Sequence, residues 1–322
     1  MSIDARRRTP SMTGDVLRRG GVGVALIVVL AIGAWRSPDF LAFENVLNVV
    51  RQNAVLALIA IGMTMVIVAG GIDLSVGSAM TLCSVVAVKL APHGLVPAAL
   101  AALLVGAAIG FGNGLIVAKF RVAPFIATLA SLLALRGVTI AAFGEETVPL
   151  NEGRAAFTTF GRAVWLGAPV QAPIVIVVAV IAIFVLRQTR FGRSIYALGG
   201  NEESARMLGL RVDRIKIAVY AISGALSGLA GMLFAVRVAA GITNYGLGLE
   251  LDAITAVALG GTLLTGGIGG VTGTLAGVAL IGFLFNIFNL DATLSPFFQK
   301  VVRGLLLTLV VVIQSSLTKR RK

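Results

Sequence analysis

Ionisable residues are scarce in this chain, so the few placed between apolar runs are where chemistry would sit. The run Gly70-Gly71-Ile72-Asp73-Leu74-Ser75-Val76-Gly77 sets a carboxyl beside paired glycines, between two apolar stretches. An acid at that depth is costly unless it is paired or functional. Two readings stand. Asp73 and Ser75 cap the start of the following helix, or Asp73 acts directly in moving a solute. A second cluster, Asn201 to Leu210, has Asn201 placed as an N-cap, Glu202 and Glu203 in the first turn, Ala205 and Arg206 further on, and Gly209 placed to stop the helix. That pattern reads as a short charged helix outside the bilayer, either a solvated loop or a docking helix for a partner. Arg136 lies in the apolar run that begins at Pro124. At roughly 1.5 Å per residue it falls past the midpoint of a span, where a cation needs a partner or a water-filled cavity. Glu250 and Asp252 are candidates for the same region, in a structural ion pair or lining a pore. Arg51, Gln52 and Asn53 read as interfacial or pore-facing. The remaining polar residues of the apolar runs, such as Asn113, Thr128, Asn286 and Asn289, are scattered, which predicts no enclosed polar site within the membrane.

Enzyme signatures are missing. The sequence has no Gly-Lys dipeptide, hence no phosphate-binding loop of the G-x-x-x-x-G-K-[ST] type, and no G-x-S-x-G. One histidine, His93, rules out H-E-x-x-H and a histidine metal cluster, and Cys83 has no partner for an intrachain disulfide.

These residues need elements to hold them, and composition says which. Hydrophobic residues make up 57% of the 322, charged residues 13%, and mean hydropathy is +0.97. A soluble domain is nearer a quarter charged, so the chain reads as an all-α polytopic membrane bundle. The net charge of +13 falls in clusters between apolar runs; it fits the positive-inside rule and not a nucleic-acid partner. A window of about 20 residues gives about ten spans: 20–35, 46–69, 74–90, 95–118, 124–143, 170–186, 217–236, two within 251–290 broken near Gly266 to Gly270, and 301–313. The first is read as a retained span and not a cleaved leader, since no small-residue cleavage pattern follows it. Both ends are basic: Arg6, Arg7, Arg8, Arg18 and Arg19 at one, Lys319 to Lys322 at the other. Both are expected in the cytoplasm, as are Lys119, Arg121 and the stretch 187–216; Glu145, Glu146 and Glu152 are expected outside.

Glycines recur at spacing four, at 106, 110 and 114, at 224 and 228, and at 269, 273 and 277, with Ser223, Ser227 and Gly231 as another ridge. Such ridges predict close helix packing. A faint internal similarity pairs Ala60 to Thr64 and Gly70-Gly71-Ile72 with Ala258 to Thr262 and Gly266-Gly267-Ile268, a hint of duplicated halves.

Four long motifs carry a resemblance. They are the G-G-I-D-L-S-V-G run at 70–77, A-P-F-I-A-T-L at 123–129 leading to Leu135-Arg136-Gly137, F-G-R-S-I-Y-A-L-G-G-N at 191–201 leading to Ala205, Arg206 and Gly209, and E-L-D-A-I at 250–254 leading to L-G-G-T at 259–262. In this order, over roughly residues 45 to 315, the chain resembles the ribose-type permeases of bacterial ATP-binding-cassette importers. The resemblance implies a type II-like importer permease, with a membrane domain over 20–316, a coupling loop at 187–216, and basic cytoplasmic segments at 1–19 and 317–322. It implies that Asn201, Glu202, Ala205, Arg206 and Gly209 belong to the coupling helix seated in a cleft of an ATPase. The implied partners are a second permease chain, a cytoplasmic ATPase that binds the ATP, and a periplasmic sugar-binding protein; the permease itself carries no cofactor and catalyses nothing. The setting is the bacterial inner membrane, and the cargo a monosaccharide or related polyol. The competing reading is an ion-coupled secondary transporter of a small polar solute, which would want several intramembrane carboxylates or a histidine relay.

Overall fold

The computed structural model describes residues 12–151, 153–165, 167–291 and 296–319. The expectations for Arg6, Arg7, Arg8, Glu152, Arg320, Arg321 and Lys322 lie outside those residues. The described chain is a bundle of helices: α1 Met12–Arg36, α2 Phe43–Val68, α3 Val76–Lys89, α4 Leu95–Lys119, α5 Pro124–Phe143, α6 Arg154–Arg162, α7 Gln171–Gln188, α8 Arg190–Gly200, α9 Glu202–Met207, α10 Val212–Val238, α11 Leu249–Leu259, α12 Val271–Asp291 and α13 Pro296–Lys319. Two short antiparallel pairings complete it: β1 (Val148–Pro149) with β4 (Ala240–Gly241), and β2 (Val164–Trp165) with β3 (Ala168–Pro169).

Among the described residues six helices are long and apolar enough to cross a membrane: α2, α4, α5, α7, α10 and α12, the last counted over Val271–Leu290. The chain is therefore an all-α polytopic membrane protein. Two of the windows read as spans are shorter helices. The 14 residues of α3 and the 11 of α11 reach roughly 21 and 17 Å, against about 30 Å of hydrocarbon.

The core centres on α2, packed by α10, α11 and α12, and the closest helix contact is the seam between α4 and α10. Gly106 and Gly224 face each other so closely that a methyl on either would overlap the other's carbonyl oxygen. Gly110 meets the Tyr220 carbonyl, Gly228 the Ala102 carbonyl, and a Cβ on Gly114 would stand 2.7 Å from Ile217 Cα. Small residues at spacing four bring the two backbones together because lipid gives helices no hydrophobic reason to associate. Gly231 does the same against Met80 and Ser84 of α3. The third glycine ridge is only partly a ridge. Gly273 and Gly277 on α12 pack against Gly260 and Ala256 of α11, whereas Gly269 lies before the helix, against Thr262.

The two interrupted regions stop by one device. After α2, Gly70 takes φ +83°, its N–H reaches the Ile67 carbonyl and the Gly71 N–H the Val66 carbonyl. After α11, Gly261 takes φ +84°, with Gly261 N–H on the Ala258 carbonyl and Thr262 N–H on the Val257 carbonyl. Each is a Schellman stop, which needs a residue at ease with positive φ. The internal similarity is thereby corrected. Ala60 to Thr64 lie inside α2 whereas Leu259-Gly260-Gly261 end α11, so the equivalent of Gly70 is Gly261 and not Gly266.

The bundle has two ends. One gathers the stop at Gly70, the end of α4, α8, α9 and the loop 260–270. The other gathers the 3-10 turn Ala91–His93, the β pairings, α6 and the loop 239–248. Residues 144–151 and 153–165 are structured there: α6 buries Phe157, Gly161 packs on Val236, and the Glu145 carbonyl accepts from Thr243 Oγ1 at 2.9 Å.

Candidate functional site

The short helix expected after Asn201 is α9, and a second helix, α8, runs directly into its cap. Thr189 caps α8, its hydroxyl accepting from Gly192 N–H at 3.1 Å, and Asn201 caps α9, its Oδ1 accepting from Ser204 N–H at 2.8 Å. Gly209, at φ +78°, closes α9 in a third Schellman stop, with Leu210 N–H on the Ala205 carbonyl and Gly209 N–H on the Arg206 carbonyl. Ala205 is buried and packs with Val212 and Ile215, which pins α9 to the start of α10. The charges form a chain. Glu202 accepts from Lys216 at 2.7 Å and from Arg206 at 3.3 Å; Arg206 also pairs with Asp213 at 3.5 Å, and Asp213 with Lys119 at 3.8 Å. Burial works against the Glu202 charge, but the hydrogen bonds and charges of Lys216 and Arg206 outweigh it and hold the carboxyl below its ordinary value. Glu202 and Arg206 stay about half exposed, and beside them Met207 and Leu208 are the most exposed apolar side chains at this end of the bundle, each 79% exposed.

Three glycine pairs meet beneath α8. A methyl on Gly199 would overlap the Val68 carbonyl and come within 2.6 Å of Gly267 N; one on Gly266 would stand 2.9 Å from Gly70 Cα, and one on Gly267 3.0 Å from Gly200 Cα. Gly267 N–H donates to the Val68 carbonyl at 2.9 Å, which satisfies one of the orphan acceptors at the end of α2. Tyr196 Oη donates to the Gly269 carbonyl at 2.9 Å. So α8 rests backbone-to-backbone on both helix interruptions, an arrangement that the sequence motifs contain but do not reveal.

Asp73 sits just inside this junction, buried with Ser75. Its Oδ1 accepts from the Ser75 backbone N–H at 3.1 Å and from Ser75 Oγ at 2.6 Å, its Oδ2 from Ser223 Oγ of α10 at 3.0 Å. Asn113 of α4 donates to Ser75 Oγ at 2.8 Å, and Tyr220 Oη to the Ile72 carbonyl at 3.2 Å. The capping is Asp73's; Ser75 occupies the N-cap position of α3 without a side-chain cap bond, which corrects the reading of its hydroxyl. The network ties α3, α4 and α10 together.

Arg136 lines a crevice with Thr81, Thr139 and Thr243, and lies within electrostatic reach of Glu250. Among the described residues Arg136 has no ion pair within 4 Å. Glu250 Oε1 accepts from Gly248 N–H at 3.2 Å, and its other oxygen faces Gly77 at the start of α3. Asp252, two residues on, points elsewhere, into a cavity.

That cavity gathers polar residues that look scattered along the chain, in a space that is partly open. It has a volume of about 210 Å³ and lies between α2, α10, α11, α12 and α13, at the end opposite α8 and α9. Gln52, Asn53, Asn286, Asn289, Gln299 and Asp252 give it a polar lining. Arg237 closes one side: it donates to the Gln52 carbonyl at 3.1 Å and to Tyr245 Oη at 3.3 Å, and stands 5.6 Å from the centre of the Phe234 ring, on which Tyr245 stacks. A signal was present in the sequence, since Gly282, Asn286 and Asn289 share one helical face. Arg237, Tyr245 and Gln299 arrive from other segments than α12, across intervening turns, and no helical spacing announces them.

Residues 45–311 match the family model described as the permease component of the branched-chain amino acid transport system. The chain belongs to this permease family. Curated relatives narrow the likeness. The permease is 44% identical to the ribose import permease protein RbsC of Escherichia coli K12, over 91% of this chain and 92% of the relative. It is 40% identical to the Bacillus subtilis ribose import permease protein RbsC, over 92% and 93%. It is 35% identical to the galactose/methyl galactoside import permease protein MglC of E. coli K12, over 95% and 96%. No solved structure matches the permease.

Proposed function

We propose that this permease forms the translocation pathway for a monosaccharide or related polyol in an ATP-binding-cassette importer of the bacterial inner membrane. The observation that carries this is the end-to-end likeness to relatives named as ribose and galactoside import permeases. The chain passes through the membrane ten times, α1 and α13 joining the six longer helices and α3 and α11 crossing together with the non-helical segments at their glycine stops. The basic residues of α8, α9 and the start of α10 gather at one end with Lys119, which supports placing that end, and both termini, in the cytoplasm. Residues 20–316 make the membrane domain, with basic flanks at 1–19 and 317–322.

A second permease chain pairs with this one. A periplasmic binding protein delivers the sugar, and a cytoplasmic ATPase binds and hydrolyses ATP. The ATPase docks on α9, where Asn201, Glu202, Ala205, Arg206 and Gly209 hold the helix rigid and Met207 and Leu208 enter the cleft. Force then reaches the spans through α8, which lies on the glycine junction of α2 with the loop before α12. Asp73 and Ser75 keep the α3 break in register with α4 and α10, while Glu250 and Arg136 flank the first turns of α3 from its other side. The ion-coupled alternative has a buried carboxyl in Asp73, but both its oxygens are occupied by serine donors.

The test is reconstitution of the chain with its cognate ATPase and binding protein in proteoliposomes. Uptake of labelled ribose or galactose is expected to require ATP. Uptake driven by a proton or sodium gradient without ATP would reject this function.

A further inference from the structure

A packed membrane core has no use for the side chains around the 210 Å³ cavity. Five of them are carboxamides, at Gln52, Asn53, Asn286, Asn289 and Gln299. Each amide offers two donors and two acceptors, and the structure spends only part of that capacity. Asn53 donates to the Val49 carbonyl at 2.8 Å, Asn286 exchanges bonds with Asn45 at 2.8 and 3.0 Å, and Gln299 donates to Asn289 Oδ1 at 3.1 Å. Those bonds fix how the amides point and leave the remaining donors and acceptors toward the space. The volume equals about seven waters at ~30 Å³ each, room for one sugar ring.

We propose that this cavity is a binding subsite inside the permease for one uncharged monosaccharide, gripped at its hydroxyls by the amides of Gln52, Asn53, Asn286 and Asn289. The inference rests on the importer reading and adds the place and the selectivity. An amide pairs with a hydroxyl whichever way the hydroxyl turns, because both groups donate and accept. The two charged lining groups, Arg237 and Asp252, are of opposite sign, and Arg237 is already held by Gln52 and Tyr245. A sugar phosphate would meet Asp252 together with Arg237, so it would lose its hydration against a lining of no net countercharge. Leu56, Ile281 and Phe285 supply the apolar wall for the C–H face of the ring. The gripping amides come from α2 and α12, so a shift between these two helices disperses the grip and releases the sugar.

The experiment uses the purified full-length permease in detergent, without its partners, and saturation-transfer NMR at millimolar D-ribose, D-galactose and D-ribose 5-phosphate. Transfer is expected to the two neutral sugars and not to the phosphate. Gln52→Leu and Asn289→Leu, whose sites are exposed to the cavity and outside the buried core, are expected to weaken binding ~5-fold or more for each lost polar partner while elution and melting stay at wild-type values. In the reconstituted complex the same variants should slow ATP-driven uptake with the binding protein's stimulation of ATP hydrolysis intact. Transfer to no sugar, or equal transfer to the phosphate, or unchanged binding in both variants, would overturn the subsite. ATP-driven uptake persisting alongside those results leaves the importer standing, whereas absence of ATP-driven uptake in the wild type removes the importer reading itself.

Discussion

The two ends of the bundle solve opposite problems. Under α8, glycines bring three backbones into direct contact, and almost nothing there is a side chain: Gly199 meets Val68, Gly267 meets Gly200, Gly266 meets Gly70. At the far end, side chains stand around open space, with amides held by one or two hydrogen bonds. Backbone against backbone has no rotamer in which to yield, so the first region transmits displacement. Side chains turning about a cavity adapt to what enters, so the second suits a solute.

The same substitution at both ends breaks this contrast if it is wrong. Gly199→Ala puts a methyl on the Val68 carbonyl, and ATP-driven uptake is expected to fall ~100-fold while the ATPase still co-purifies. Its neighbour Gly200 has open space where a Cβ would go, so Gly200→Ala should transport normally. Equal behaviour of the two variants in an uptake assay would end the claim of a rigid junction.

Asp73→Asn tests the network behind the junction. The amide keeps the shape but turns one acceptor into a donor facing serine hydroxyls, with an expected cost of about 1–3 kcal/mol in thermal unfolding of the detergent-solubilised protein. A melting curve identical to wild type would show that the carboxylate is dispensable there.

At the cavity end, Gly282→Ala places its methyl 2.6 Å from Asn53 Nδ2, the movable end of a side chain. Asn53 can rotate away, so only a change of ~2- to 5-fold in uptake is expected, on the order of 1 kcal/mol. A loss as deep as that of Gly199→Ala would contradict the idea of an adaptable lining.

The smallest effect belongs to Glu202. Its carboxyl is held below the ordinary value of about 4.3. The contribution to α9 is thus complete above that value and lost as pH falls through the lower, folded one. Half-exposed ion pairs give at most about 1 kcal/mol, so amide exchange across α9 should rise slightly only below about pH 4. A rise already at pH 6 would assign it to another group.

The residues of α9 show how far reading along the chain goes. Asn201, Gly209 and the pair Glu202–Arg206 were legible, because a cap, a stop and an i,i+4 pair are all local. Lys216 and Asp213 were not, since their part depends on how α10 leaves the turn. That alters an obvious experiment: reversing Glu202 and Arg206 together would set like charges against Lys216 and Asp213, so it tests the network as much as any partner. The cavity was hidden for the same reason. Asn286 and Asn289 looked scattered because Gln52, Arg237, Tyr245 and Gln299, which complete the ring, come from four other segments.

By itself the sequence determined everything set within a few turns of helix: which stretches are apolar enough for lipid, where glycine permits a stop, which ridges let helices touch, and the family motifs. Only the tertiary structure decided which glycines meet which, that Asp73 binds Ser223 across 150 positions, and that polar residues from distant spans surround one space. Local rules act through bonds and hydrogen-bond geometry a few residues apart, whereas these contacts depend on how whole helices cross, and many sequences with the same apolar periodicity could cross otherwise.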